Sequence, residues 1–215
     1  MKSEYTKRII EVSILSIAFA FVESSVVVYL RGVYYPQGFS FPLRVMSVQD
    51  LSVELVREFA TMVMLVMLGG LAGTSRWQKF AYFLVAFGVW DIFYYIWLKV
   101  ILNWPRTLFD WDILFLIPLP WIAPVIAPVM ISLLMIVVGV FVVRRAEFVE
   151  RFQPPVASWL TAVVGTGFIL YTFLSDTQAT LQLQMPQSYR YDLFLVGIVL
   201  YIASFIRAAH KTTTR

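Results

Sequence analysis

The sequence predicts an all-α fold: a polytopic transmembrane helical bundle of six spans, multi-pass in the cell membrane, with both termini cytoplasmic. Three observations predict it. Of 215 residues, 60% are hydrophobic and only 14% are charged, and the mean hydropathy is +0.78. A soluble domain carries about 25% charged residues, so this much apolar surface calls for lipid as its solvent. The apolar residues gather into six runs: Ile9–Leu30, Leu51–Leu71, Phe80–Leu102, Trp121–Val143, Ala157–Leu174 and Leu193–Ile206. Most approach the ~20 residues that a helix needs to cross about 30 Å of hydrocarbon.

The third observation is where the cations lie. With a cytoplasmic N-terminus, the inner segments hold eleven basic residues: Lys2, Lys7, Arg8, Arg76, Lys79, Arg144, Arg145, Arg151, Arg207, Lys211 and Arg215. The outer side holds six: Arg31, Arg44, Arg57, Lys99, Arg106 and Arg190. Every inner segment carries at least two, which is the positive-inside pattern. Moving any one span spoils the alternation. The chain shows no internal repeat or low-complexity tract and reads as one domain over residues 1–215.

The first run follows Lys7-Arg8 and passes Ala18-Phe19-Ala20, which imitates a cleavable signal peptide. Glu11 interrupts the run and apolar sequence continues to Leu30, so the expectation is an uncleaved first span. The segment from Arg31 to Asp50 is rich in aromatics and turn formers and is expected to lie on the membrane surface or to pack over the helix ends. Ser47 with Asp50 is placed to cap the second helix. Gly69 and Gly73 make a small-xxx-small step suited to close helix contact.

The region before span four is irregular. A helix from Asp112 to Val143 would be about 48 Å long at 1.5 Å per residue. Pro118, Pro120, Pro124 and Pro128 would also interrupt its hydrogen-bond ladder. The expectation is a short extra interfacial or re-entrant helix near Trp111–Ile117, a break at Pro118–Pro120, and then the span. Pro120, Pro124 and Pro128 would share one face of it.

The chain has no cysteine and a single histidine, His210. Haem ligated inside the membrane and His- or Cys-built metal sites are therefore not expected, and no cofactor or metal is predicted. Met62, Met64 and Met67 read as packing residues. No phosphate-binding loop, nucleophile elbow or His-Glu-x-x-His pattern occurs. The scattered basic residues argue for a lipid bilayer as partner, with other membrane subunits or a second copy also expected, and against nucleic acid.

Ionisable residues inside spans are costly and mark candidate sites. Glu23, Glu58 and Asp91 fall on three consecutive spans, at depths of roughly 10, 10 and 15 Å from the outer surface. Glu54 and Arg57 adjoin Glu58, and helical spacing puts Glu54, Glu58 and Thr61 on one stripe. Lys99 lies two turns outward of Asp91 with Tyr95 between them, and Arg31 two turns outward of Glu23. The candidate ligand-binding or ion-pair cluster is therefore Glu23, Glu54, Arg57, Glu58, Asp91, Tyr95 and Lys99, rimmed by Trp90, Tyr94, Trp97, Trp104 and Trp111. Asp110, Asp112, Asp176 and Asp192 are expected as caps or solvated acids at outer helix ends.

The reading that follows is a binding or subunit-type membrane protein with an outward-facing polar pocket lined by carboxylates from spans one to three. Two alternatives stand beside it. One is an embedded enzyme acting on a lipid or isoprenoid substrate, and the other is a small-solute or ion transporter. The inner half shows only Ser16, Glu11, Thr161 and Thr166 as polar stepping stones, which favours a site open on one side only.

Overall fold

A computed structural model describes residues 2–145, 152–178 and 182–213. Arg151 and Arg215 of the inner basic set lie outside the described residues. In a solvent that offers no hydrogen bonds, a backbone satisfies its own donors by becoming helical, and most of the described residues do so. The helices are α1 (Lys2–Tyr34), α2 (Val48–Ala72), α3 (Arg76–Leu102), α4 (Ile126–Arg144), α5 (Val156–Leu174) and α6 (Tyr191–Thr213). All six are long and apolar enough to cross a membrane, the make-up of a multi-pass membrane protein.

Local chemistry sets the helix ends. Ser47 accepts the Asp50 backbone N–H at 3.0 Å and so caps α2, as the sequence predicts. Ser75 does the same for α3 through the Gln78 N–H at 3.3 Å. Asn103 closes α3 in the left-handed region at φ 53°, a conformation that Asn tolerates.

The expected extra helix is not found. Trp111–Phe115 forms a strand, β1, paired antiparallel with β2 (Trp121–Pro124). The register puts Trp111 opposite Pro124 and Asp112 opposite Ala123, with an irregularity between Ile113 and Phe115. A short apolar run has no periodicity that separates helix from strand, and this run is rich in the aromatic and branched residues that strands favour. The fold is therefore helical with one β-hairpin, and α4 starts at Ile126 rather than Trp121. The prolines do not share one helix face either. Pro124 ends an edge strand, where no ladder donor is needed, and Pro128 falls in the first turn of α4, whose N–H groups have no helical partner.

Helix α3 is the centre of the assembly and packs against α1, α2 and α4. A Cβ on Gly69 would come within 2.7 Å of the Lys79 carbonyl oxygen, and one on Gly73 within 2.4 Å of the Lys79 nitrogen. The glycine step therefore lets α2 meet α3 backbone to backbone, as its spacing suggests. The core on this side is apolar: Val12, Leu65, Ala81, Val85, Ala86 and Val143 are all buried.

Helices α1 and α2 touch each other sparingly, while each runs along α3. Helices α5 and α6 form a second pair, stitched by Thr166 to Tyr201 at 2.7 Å and by Ser204 to the Ser158 carbonyl at 2.7 Å. Aromatic contacts join this pair to the rest, with Trp77 stacked on Trp159 and Trp121 tilted against Phe173. The hairpin thus sits between the pair and the α1–α4 bundle. It reaches α2 through Leu116 and Glu58, and α1 through Asp112 and Arg31.

Candidate functional site

Charged side chains in an apolar bundle need partners, and where each finds one defines the site. Glu23, Glu54, Glu58 and Asp91 are each only 7–8% exposed. They resolve into three adjoining units.

The first unit joins α1 to α2. Arg57 lies between two carboxylates: its Nη1 donates to Glu23, while its Nε donates to Glu54 at 2.8 Å and its Nη2 to the same carboxylate. Thr61, one turn inward, donates its hydroxyl to the other oxygen of Glu23 at 3.0 Å. The three-residue spacing of Glu54 and Arg57 is what lets a planar guanidinium fork reach one acid on its own helix and a second across the gap.

The second unit joins α2 to the hairpin. Glu58 accepts the Leu116 backbone N–H at 2.9 and 3.1 Å. Leu116 follows directly on β1, so its N–H is free of the ladder and available to an acid from below.

The third unit joins α1, α3, α4 and the hairpin. Arg31 pairs with Asp112 at 3.0 Å, with both side chains under a tenth exposed. The guanidinium lies 3.7 Å from the Trp104 ring centroid and 4.2 Å from that of Phe39, a cation held between two aromatic faces. The Tyr95 hydroxyl faces Asp112. Burial pushes the Asp112 carboxyl up to about 6, against the opposing pull of the Arg31 guanidinium. Arg31 Nη1 and Asp112 Oδ2 are both buried without a hydrogen-bond partner. Asp91 lies on the α4 side of α3 and accepts the Ser132 hydroxyl at 2.8 Å.

Tyr94 connects the units. It is within electrostatic reach of Arg57, Glu54, Arg31 and Asp112 at once, and it stacks on Trp90.

Of the residues singled out from sequence, the structure brings Glu23, Glu54 and Arg57 into one cluster. Glu58 adjoins them but serves the hairpin. Asp91 faces α4, Tyr95 belongs with Asp112, and Lys99 donates to the Pro105 carbonyl at 2.9 Å instead of approaching Asp91. The aromatic rim is only partly realised. Trp104 and Tyr94 adjoin the charges, Trp97 donates to the Ile17 carbonyl at 3.2 Å, and Trp111 packs on Tyr189.

Asp112 is the principal correction. The sequence reading makes it a cap or solvated acid, yet it is 2% exposed and ion-paired in a strand. A lone acid inside the apolar run Trp111–Ile117 was its signal. Ser132 was missed altogether, although it is the sole hydroxyl in α4. Among the described residues no three His, Cys, Asp or Glu side chains converge to hold a metal ion. No protein-family model, curated protein or solved structure matches the chain.

Proposed function

We propose that this is a cell-membrane protein of binding or subunit type, with both termini cytoplasmic, whose outer half holds a carboxylate-rich site that takes up positive charge. The observation that carries the reading is a charge imbalance. Five buried carboxylates, those of Glu23, Glu54, Glu58, Asp91 and Asp112, have only two guanidinium groups, Arg31 and Arg57, paired among them. A medium of low dielectric does not hold three uncompensated anions. The layer therefore draws protons, with or without one cationic group of a ligand, from outside the described side chains. The hairpin, tied down by Glu58 and Asp112, covers this layer from the outer side. The core beneath it is apolar, which supports exchange from one face and argues against a through-path.

The test uses the whole protein in detergent or nanodiscs, with E23Q, E58Q and D91N made singly. Proton uptake is read with an indicator dye and the protonated-carboxyl band by infrared difference spectroscopy. Binding of sodium and of ethylammonium is read by calorimetry. Normal assembly with lost uptake or binding in at least one variant supports the reading. Unchanged uptake and binding in all of them would defeat it.

A second reading has its own support: every acid of the layer already engages a protein donor. On that reading the network pins the hairpin and fixes helix register within a larger complex. Loss of assembly in the truncations Glu23→Ala, Glu58→Ala and Asp91→Ala, with uptake and binding unchanged in the amide variants, favours it.

A further inference from the structure

The outer ends of α1 and α2 leave a groove of about 180 Å³ between them, lined by Val26, Tyr29, Leu30, Val33, Tyr34 and Asp50. Its apolar wall follows the α1 axis from Val26 to Val33, roughly 10 Å at 1.5 Å per residue. Tyr29 is 74% and Val33 73% exposed, so the wall is open along its length. Its outer end is polar. Asp50 Oδ2 accepts the hydroxyls of Tyr34 and Ser47, while among the described residues no donor reaches Oδ1. None of the described ion pairs involves Asp50.

We propose that this groove binds one outer-leaflet phospholipid whose headgroup carries a primary ammonium, with an acyl chain along Val26–Val33 and the ammonium donating to Asp50 Oδ1. Three features select that occupant. An apolar wall parallel to a membrane helix runs in the direction of lipid chains. Asp50, in the first turn of α2, sits where the hydrocarbon gives way to headgroups. An unpaired carboxylate oxygen at that level attracts a cation and repels an anionic headgroup. It also prefers an ammonium with N–H groups to a quaternary one, which has none to donate. The choice of leaflet rests on the outward placement of the α1–α2 loop proposed above, whereas the choice of headgroup does not.

The test is native mass spectrometry of the full chain with added phosphatidylethanolamine, phosphatidylcholine or phosphatidylglycerol. One phosphatidylethanolamine is expected to stay bound under conditions that strip the other two. Asp50→Asn keeps a side chain for Tyr34 and Ser47 and should lower that retention about tenfold, the worth of one charge-assisted hydrogen bond. Leu30→Trp, which fills the groove, should reduce occupancy by all three lipids. Equal retention of the three lipids by the native chain, or an Asp50→Asn protein that keeps the preference, identifies annular contact only and overturns the proposal. Labelling of Ser40→Cys from outside or inside separately decides the leaflet. An inside result would refute the proposed topology while leaving the headgroup preference standing.

Discussion

The Glu58 carboxylate accepts the backbone N–H of Leu116, 58 residues further along the chain, at 2.9 Å. A helix that crosses the bundle thereby holds the rim of a hairpin that has no membrane span of its own. Buried backbone donors without partners are costly, so this contact fixes where the hairpin rests.

Removing the acceptor should loosen that contact specifically. Glu58→Gln retains a carbonyl oxygen for Leu116 and should keep the hairpin in place. Glu58→Ala strands the N–H and should cost about 1–3 kcal/mol. The chain has no cysteine, so a single Leu119→Cys in the turn between the strands reports the hairpin by maleimide labelling rate. Faster labelling in the Ala background, with little change in the Gln background, is the expected pattern.

The pairing of Arg31 with Asp112 should resist conservative replacement. Lysine keeps the charge but gives up the planar fork and the stack between Trp104 and Phe39. Arg31→Lys should therefore destabilise, by about 0.5–2 kcal/mol from the lost stacking. Arg31→Ala leaves Asp112 buried and uncompensated and should cost roughly 3–5 kcal/mol. The double variant with Asp112→Asn should recover part of that loss, because it removes the stranded charge. A thermal-unfolding double-mutant cycle measures the coupling, and strict additivity would contradict the pairing.

Asp112 also predicts a pH dependence. Its carboxyl stands near 3.8 in an unfolded chain and is raised to about 6 in the folded one. Between those values the folded protein holds a proton that the unfolded chain has released. Its contribution to stability is thus complete below about 3.8 and is lost as pH rises through about 6. Asp112→Asn should flatten that segment of the profile. A native profile with no fall over this window, or one unchanged in the variant, would remove Asp112 as its source.

Asp91 meets Ser132 because α3 and α4 cross closely at Gly88. A Cβ there would lie 2.5 Å from the Ser132 carbonyl oxygen. Gly88→Ala should push the helices apart and destabilise by about 1–3 kcal/mol. Ser132→Ala removes only the hydroxyl that Asp91 accepts and should cost less. Unfolding temperatures in the same detergent give the order, and an equal or reversed order would deny the close crossing its importance.

Topology follows from the basic residues and is read independently. Ser40→Cys should react with an impermeant maleimide on intact cells. Arg76→Cys should react only after permeabilisation. The reverse pattern would invert the proposed orientation.

Much of the fold was legible one residue at a time. Runs of about 20 apolar residues can only be satisfied as helices in lipid. Ser47 and Asp50 carried the α2 cap, and Gly69 with Gly73 carried the close approach to α3. The hairpin was not legible. Trp111–Ile117 is too short to show a period, and its strand partner Trp121–Pro124 looked like the start of a helix. The site was legible in part for the same reason. Glu54 and Arg57 meet on one helix, so spacing alone placed them together, whereas Arg31 and Asp112 are 81 positions apart.

The sequence by itself determined that the chain forms six helices long and apolar enough to cross a membrane, and that Glu23, Glu58 and Asp91 lie on three consecutive ones. Those outcomes depend on local composition and spacing along one helix. Only the tertiary structure decided which donor answers which acid: Arg57 for Glu23, the Leu116 backbone N–H for Glu58, the Ser132 hydroxyl for Asp91 and Arg31 for Asp112. The reason is physical. A buried charge takes the nearest donor in space, and nearness across helices is set by how their surfaces pack, which no single segment encodes.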